Sequence, residues 1–349
     1  MREKIQQRLQ SFVQLGKIMK SVSDESHESQ ILDPDEHDAF QTLIQNVRSF
    51  NGWFTEENVR KQLVSLAAML ESTELTTWMN RYYSQPTSEK KIAIVMAGNI
   101  PLVGFHDLLC VLMSGYNALI KMSSDDQHLL PALLDLWKHS HPEMVSKIEF
   151  TKGQLQDFEA VIATGSNNSA RYFQQYFGEY PNIIRKNRTS VAVLTGNESK
   201  ETLEALGEDV FTYFGLGCRN VTKVYLPEGF DKNRLFEAFY KFKWIIDHNK
   251  YANNYDYHKA IWLMNQDQLL ENGFMMLKED SKFLVSPIGS LFYEEYRNKE
   301  ELLSVLEDRK EEIQCIVGDG FVPFGQAQKP KLWDYADGVD TMKFLNSLS

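Results

Sequence analysis

The stretch Ile92-Ala93-Ile94-Val95-Met96-Ala97-Gly98-Asn99-Ile100-Pro101 decides the fold. Its first half is a continuous apolar strand, and Gly98-Asn99-Ile100-Pro101 is a turn at the strand's carboxyl end. Working outward, His106 to Ser114 reads as a helix and Ala118-Leu119-Ile120-Lys121-Met122 as a second strand. Leu129 to His139 reads as another helix. Ala160-Val161-Ile162-Ala163 is a third strand, followed by Thr164-Gly165-Ser166 and a helix through Tyr172-Phe173. Short, wholly apolar strands joined through helices predict an α/β fold with a parallel sheet buried on both faces. The mixed pattern returns from about residue 200, and 349 residues suffice for two domains with separate cores.

Composition narrows the class. The chain is 43% hydrophobic and 24% charged, as ordinary globular proteins are, with a net charge of −11. That charge argues against a nucleic-acid partner and against a basic membrane-binding patch. The three cysteines, Cys110, Cys218 and Cys315, lie far apart and never in a CxxC pair. They predict neither a disulfide framework nor a zinc site, and no metal is expected; a reducing, cytoplasmic compartment is. Met1 to Arg8 lacks the apolar core of a signal peptide. The apolar region Ile92 to Ile120 is interrupted by Gly98-Asn99-Ile100-Pro101 and by His106-Asp107, so no transmembrane segment is expected.

Cys218 lies in Tyr213-Phe214-Gly215-Leu216-Gly217-Cys218-Arg219-Asn220, before the strand-like Val221-Thr222-Lys223-Val224-Tyr225-Leu226-Pro227. Flanking glycines permit close approach of a substrate, and a neighbouring arginine favours the thiolate. The same pattern fits a small buried residue at a helix end. Asn99 offers an amide to a developing oxyanion, or simply supplies turn geometry before Pro101. Thr164-Gly165-Ser166 opens a helix whose N–H groups suit a phosphate, although no GxGxxG is present. His106 and Cys110 share a helix face, where packing outweighs metal ligation. The aromatic residues of Phe236 to Trp244 have helical spacing and read as core rather than as an acyl tunnel. His248 and His258 flank an aromatic stretch read as a packing surface.

Five blocks together resemble the aldehyde dehydrogenase superfamily. They resemble more closely its acyl-CoA reductase branch, which includes the long-chain fatty-acyl-CoA reductase of bacterial luminescence. The blocks are Ala97 to Asp107, Ile120 to Asp126, Ala163 to Ser166, Phe214 to Asn220, and Pro323 to Gln328 followed by Leu332 to Met342. The resemblance covers roughly residues 90 to 349, and the first 85 residues match no recognised pattern. It implies an aldehyde-dehydrogenase-like fold of two α/β domains, one with an open Rossmann-type parallel sheet for the cofactor and one catalytic. The domains expected are 1–85, a helical region packing on the cofactor domain; 86–198, the NAD(P)-binding domain; and 199–322, the catalytic domain. Residues 323–349 are expected to return to the first domain or to an oligomer interface. Residues 85–90 form the polar joint between the first two.

The resemblance also implies roles. Cys218 is the nucleophile, and Asn99, with the Cys218 backbone N–H, forms the oxyanion hole. Lys121, with Ser123 and Ser124 beside it, meets the adenosine ribose. Thr164, Gly165 and Ser166 flank the pyrophosphate. Three departures refine this. Oxidising relatives carry a water-activating glutamate before Leu-Gly-Gly, but Val191-Ala192-Val193-Leu194-Thr195-Gly196-Asn197 has no carboxylate before its leucine. A missing base suits a reductase, whose acyl-thioester must survive. Lys282 to Ile288 likewise lacks the acid that holds the nicotinamide ribose. Ser124 stands where NAD-preferring relatives place a glutamate, which favours NADPH, while Asp125 and Asp126 weigh against. The implied reaction is NADPH-dependent reduction of a fatty acyl-CoA to the aldehyde, the acyl group coming from coenzyme A or from an acyl-transferring partner enzyme. The alternatives are an acyl-phosphate reductase or a non-catalytic binding protein of this fold, and a homo-oligomer is expected.

Overall fold

The computed structural model describes residues 2–25, 31–82 and 89–348. Residues 85–88 of the expected joint therefore lie outside the described residues. The chain divides into two compact units, residues 1–186 with 331–349, and residues 187–330.

The first unit opens with helices α1 (Arg2–Ser23), α2 (Pro34–Phe50), α3 (Glu56–Met69) and α4 (Ser72–Met79). Local chemistry starts two of them: Asp33 caps α2 by accepting from the Asp35 N–H, with Pro34 in the first turn, and Thr55 caps α3 through the Asn58 N–H. There follow β1 (Lys91–Val95), α5 (Phe105–Met113), β2 (Asn117–Lys121), α6 (Leu129–Ser140) and α7 (Pro142–Val145). Next come β3 (Ile148–Phe150), β4 (Ala160–Thr164), α8 (Asn167–Phe177) and β5 (Asn182–Arg185). The five strands form a sheet in the order β3-β2-β1-β4-β5, parallel at every pairing. Alternation sends Ile92 and Ile94 into one core with Phe12, Leu63, Trp78 and Leu109. Ala93 and Val95 face a second core with Phe173 and Phe177 of α8. Both faces are thus buried, as the unbroken apolar strands require.

The second unit holds β6 (Thr189–Val193), α9 (Lys200–Phe211), β7 (Val221–Pro227), α10 (Asn233–Phe239) and α11 (Asn249–Met264). It continues through β8 (Leu270–Glu271), β9 (Met276–Glu279), β10 (Ser290–Tyr296), α12 (Lys299–Asp308) and β11 (Ile313–Gly318). Its sheet runs β11-β6-β7-β10-β9-β8, antiparallel at the β8–β9 edge alone among its pairings. β6 pairs with β7 and β11, and the division between the two compact units falls at 186/187.

The closing segment, with α13 (Thr341–Asn346), belongs to the first unit from Lys331 onward. Leu332, Tyr335, Met342 and Leu345 enter its larger core. Polar contacts fix the register: Trp78 Nε1 donates to the Tyr335 hydroxyl at 2.7 Å, and Tyr82 donates to Asp340 at 3.1 Å. Arg185 pairs with Asp107 and donates to Thr341 Oγ1 at 3.0 Å, all three being buried. His106 Nε2 lies 3.0 Å from the Leu332 carbonyl oxygen, and Cys110 Sγ lies 3.8 Å from His106 Nδ1. The His106/Cys110 face is therefore a packed helix surface. Burial pushes the Cys110 thiol well up, which keeps it protonated and inert. No described helix is long and apolar enough to cross a membrane.

Candidate active site

In the first sheet the strand order reverses between β1 and β4, and open α/β sheets bind ligands at such a switch point, outside the carboxyl ends. The carboxyl ends of β1, β2 and β4, with the loops that follow them, carry Asn99; Lys121, Ser123 and Ser124; and Thr164, Gly165 and Ser166. Seven of the residues singled out in sequence thus gather at one end of one sheet.

Asn99 is exposed on its loop. Gly98 before it packs on the loop after β2: a Cβ there would lie 2.6 Å from Ser123 Oγ and 3.0 Å from the Asp125 Cβ. Further on, Leu102 takes a left-handed backbone conformation, φ 55°, unusual for a bulky side chain. Its N–H donates to Asp126 Oδ2 at 2.7 Å, and Asp126 is buried. Desolvation pushes the Asp126 carboxyl up to about 6, and the Leu102 hydrogen bond opposes it. The second oxygen, Oδ1, has no partner among the described residues.

Lys121 ends β2, half-buried, with Nζ donating to the Gly153 carbonyl at 3.1 Å. Ser123 Oγ accepts from the Asp125 N–H at 3.2 Å, and Ser124 and Asp125 are exposed. Thr164 ends β4, and Ser166 caps α8 by accepting from the Ser169 N–H at 3.1 Å. Gly165 lets the turn sit against this helix, since a Cβ would lie 2.8 Å from that of Ser169 and 2.9 Å from the Phe173 ring. An ammonium, four hydroxyls and the start of an eleven-residue helix form a donor set that fits a dinucleotide.

Cys218 belongs to the second unit and is exposed. It precedes β7, at the amino end of its sheet's strands rather than the carboxyl end. The approach is strained: Tyr213, Phe214 and Gly215 stand consecutively in the left-handed region, with φ of 54°, 58° and 79°. Only glycine does this without penalty. Burial holds the two aromatic rings, and Phe214 stacks on His248 with ring centroids 4.2 Å apart.

Asn220 closes the turn. Its Nδ2 donates to the carbonyls of Asp209, Val210 and Thr212 at 3.1, 3.2 and 2.7 Å, and its Oδ1 accepts from the Gly217 N–H at 2.8 Å. Ser190 of β6 donates to the Cys218 carbonyl at 3.1 Å. Asp209, fully buried on α9, accepts from the Gly325 N–H at 2.6 Å and from the Ala327 N–H at 2.9 Å. Desolvation pushes its carboxyl up to about 6 against those two bonds; Glu208 adds to the rise and Lys329 opposes it.

Directly after the segment lacking the water-activating glutamate stands a different one, Glu198. Its carboxylate accepts from Thr195 Oγ1 at 2.8 Å and from the Gly196 N–H at 3.0 Å, so it closes its own turn. In Lys282 to Ile288, Ser286 donates to the Ser290 carbonyl at 2.8 Å and acts as a loop tie. Phe239 and Phe242 are buried against Phe211, whereas Tyr240 and Trp244 are exposed, so the aromatic stretch packs in the core only in part. Among the described residues no group of three or more His, Cys, Asp or Glu is arranged to hold a metal ion.

Asp209 and Asn220 escaped the sequence reading as site residues, and Asp126 entered it only as an acid weighing against NADPH. Asn220 lies inside one of the resembling blocks, which was signal enough to single it out. Asp209 carries no sequence signal, because its partners are backbone N–H groups more than a hundred residues away.

The fold is that of the aldehyde dehydrogenases. The chain superposes on an aldehyde dehydrogenase of Mycobacterium tuberculosis complexed with NAD+, at 13% identity and TM-score 0.59, over 87% of this chain and 71% of that one. A succinic semialdehyde dehydrogenase of Streptococcus pyogenes, in complex with NADP+, matches at 12% identity and TM-score 0.63, over 87% and 74%. Aldehyde dehydrogenase 21 of Physcomitrella patens, in complex with succinate, matches at 12% and 0.61, over 91% and 78%. No curated protein matches at the sequence level. The model of the Acyl-CoA reductase (LuxC) family matches residues 5–240, well over half of the chain, and the chain belongs to that family. Family and fold together support an aldehyde-related oxidoreductase. The match also corrects the sequence reading of the first 85 residues, which the family includes almost entirely, and it stops short of the Pro323 to Met342 blocks.

Proposed function

We propose that the enzyme reduces a fatty acyl thioester to the aldehyde through an acyl-cysteine at Cys218. The observation that carries this reading is an exposed cysteine three residues after a braced, left-handed turn, in a chain of the acyl-CoA reductase family. The Cys218 thiolate attacks the thioester carbonyl carbon. The carbon–sulfur bond to coenzyme A breaks, and coenzyme A departs as its thiolate to take a proton from water. The Asn99 amide donates to the oxyanion of the tetrahedral intermediate. A reduced nicotinamide dinucleotide, NADPH by preference, supplies hydride to the acyl carbon when bound. Lys121, Ser123 and Ser124 hold its adenosine ribose; Thr164, Gly165 and Ser166 hold its pyrophosphate. Loss of the Cys218 sulfur then releases the aldehyde and restores the thiolate.

The engagement of Glu198 with its own turn supports reduction over hydrolysis, because it leaves that carboxylate committed to backbone and hydroxyl donors. The acyl donor is fatty acyl-CoA or an acylated partner enzyme, and the working form is a homo-oligomer in the cytoplasm. The test is intact-protein mass spectrometry after incubation with acyl-CoAs of graded chain length, without reductant. One acyl adduct, mapped to Cys218 and discharged by NADPH, is expected. Adducts at Cys110 or Cys315, or none at any chain length, would overturn the reading.

A further inference from the structure

We propose that Asp209 is a positioning residue for the nucleophile, acting through Asn220. The inference rests on Cys218 as the nucleophile. Three segments of the second unit meet at Asp209. Its carboxylate binds the loop at Gly325 and Ala327 with both oxygens, at 2.6 and 2.9 Å. Its main-chain carbonyl accepts from Asn220 Nδ2 at 3.1 Å. Asn220 lies two residues after Cys218 and also gathers the carbonyls of Val210 and Thr212.

The need for such a brace is local. Between Asp209 and Asn220 the chain passes through Tyr213 and Phe214 at φ 54° and 58°, a conformation that L residues leave unless it is held. The strain lies a few residues before Cys218 and would relax by turning the Gly217-Cys218 peptide. That peptide also carries the Cys218 N–H, the second donor assigned to the oxyanion. Asn220 ties Gly217 directly through its Oδ1, 2.8 Å from the Gly217 N–H. Asp209 anchors the other end of the same loop to a segment far along the chain. A buried aspartate with both oxygens on backbone N–H groups is costly unless the geometry it holds is needed. The resembling block Pro323 to Gln328 therefore acts at a distance, by seating Asp209 rather than by touching substrate.

The experiment uses full-length Asp209→Asn. The isosteric amide keeps one acceptor but turns its NH2 toward the other N–H, so the seat is broken without a cavity. Two rates and one affinity are read at a temperature well below melting: iodoacetamide alkylation of Cys218 across pH, single-turnover acylation by acyl-CoA, and NADPH binding. The expected result is acylation slowed about tenfold to a hundredfold. The alkylation–pH profile should be altered, and NADPH affinity unchanged because its residues lie in the other unit. A variant that melts earlier but alkylates and acylates like wild type overturns the proposal, leaving Asp209 merely structural. Should Asp209→Asn not fold, Asp209→Glu keeps charge and acceptors but displaces them by one methylene, and the same criteria apply. Wild-type protein that no acyl-CoA acylates would sink the reductase reading instead, while its alkylation would still report on the brace.

Discussion

The loop that carries Asn99 and the loop that carries Cys218 solve one problem in two ways. Each includes bulky residues in the left-handed region, Leu102 in the first and Tyr213 and Phe214 in the second. Each is held by a buried aspartate whose carboxyl is pushed up to about 6 by desolvation. The satisfaction differs. Asp209 spends both oxygens on backbone N–H groups, and Asn220 adds four bonds around the turn. Asp126 spends one oxygen on Leu102, and its other oxygen has no partner among the described residues. A fully satisfied network rigidifies, whereas a half-satisfied one mainly bears the cost of burying charge. The Cys218 loop is therefore the stiffer of the two, and the Asn99 loop is the one able to adjust.

The largest expected effect lies at the stiff loop. Cys218→Ala should abolish both acylation and NADPH oxidation. Cys110→Ala and Cys315→Ala should leave substantial activity, since one thiol is buried beside His106 and the other lies 3.1 Å from Ser190 Oγ. Mass mapping of the acyl adduct in each variant checks the assignment. Asn99→Ala comes next: acylation should slow on the order of 10²–10³-fold with little change in NADPH binding. Unchanged single-turnover acylation would reduce Asn99 to a turn residue.

The two aspartates give the direct comparison. Asp209→Asn should destabilise by about 1–3 kcal/mol, because one buried N–H then faces an amide NH2. Asp126→Asn still accepts from Leu102 and removes a buried charge, so at pH 7.5 its stability should equal or exceed that of wild type. Chemical denaturation of both variants decides it; equal losses would erase the distinction between the loops.

The same groups set a pH dependence. Each folded-state value, about 6, lies above the ordinary aspartate value near 3.9. Proton binding therefore favours the folded state. That contribution is complete below about 4 and is lost as pH rises through about 6. Stability of wild type minus that of Asp126→Asn should rise as pH falls from 7.5 to 4.5. A flat difference would mean that Asp126 ionises as an exposed aspartate does.

Legibility in the sequence followed the same physical lines. Strands β1, β2 and β4 were readable because both faces are buried and their central runs, residues 92–95, 118–120 and 160–163, are wholly apolar. β3 and β5 were not: Ile148-Glu149-Phe150 is an edge strand of three half-buried or exposed residues, and Asn182–Arg185 alternates on the opposite edge. The cofactor-side residues were legible because they follow strand ends, where α/β sheets place ligands. Cys218 breaks that rule by preceding its strand, so only its glycines and Arg219 marked it locally. The block Leu332 to Met342 was recognisable as a motif, but its docking onto Trp78, Tyr82 and Arg185 spans more than 150 residues and has no local signature.

The smallest expected effect concerns the adjustable loop and its neighbour after β2. Of the two acids that could exclude a 2′-phosphate, Asp126 is turned inward onto the Leu102 N–H, which leaves Asp125 as the exposed carboxylate. The Asp125 N–H is tied to Ser123 Oγ at 3.2 Å, and its carbonyl accepts from Asn51 Nδ2 at 3.2 Å, so its backbone is held from both sides. Ser124 is exposed three residues after Lys121, which ends β2. NADPH should accordingly bind more tightly than NADH. Ser124→Glu should weaken NADPH selectively, since a new carboxylate would meet the 2′-phosphate at short range in a partly desolvated pocket. Asp125→Asn should strengthen NADPH modestly and leave NADH unchanged. Fluorescence titration of both cofactors against the three proteins settles the order. Equal affinities in wild type, separated only by Asp125→Asn, would shift control of the pocket from Ser124 to Asp125.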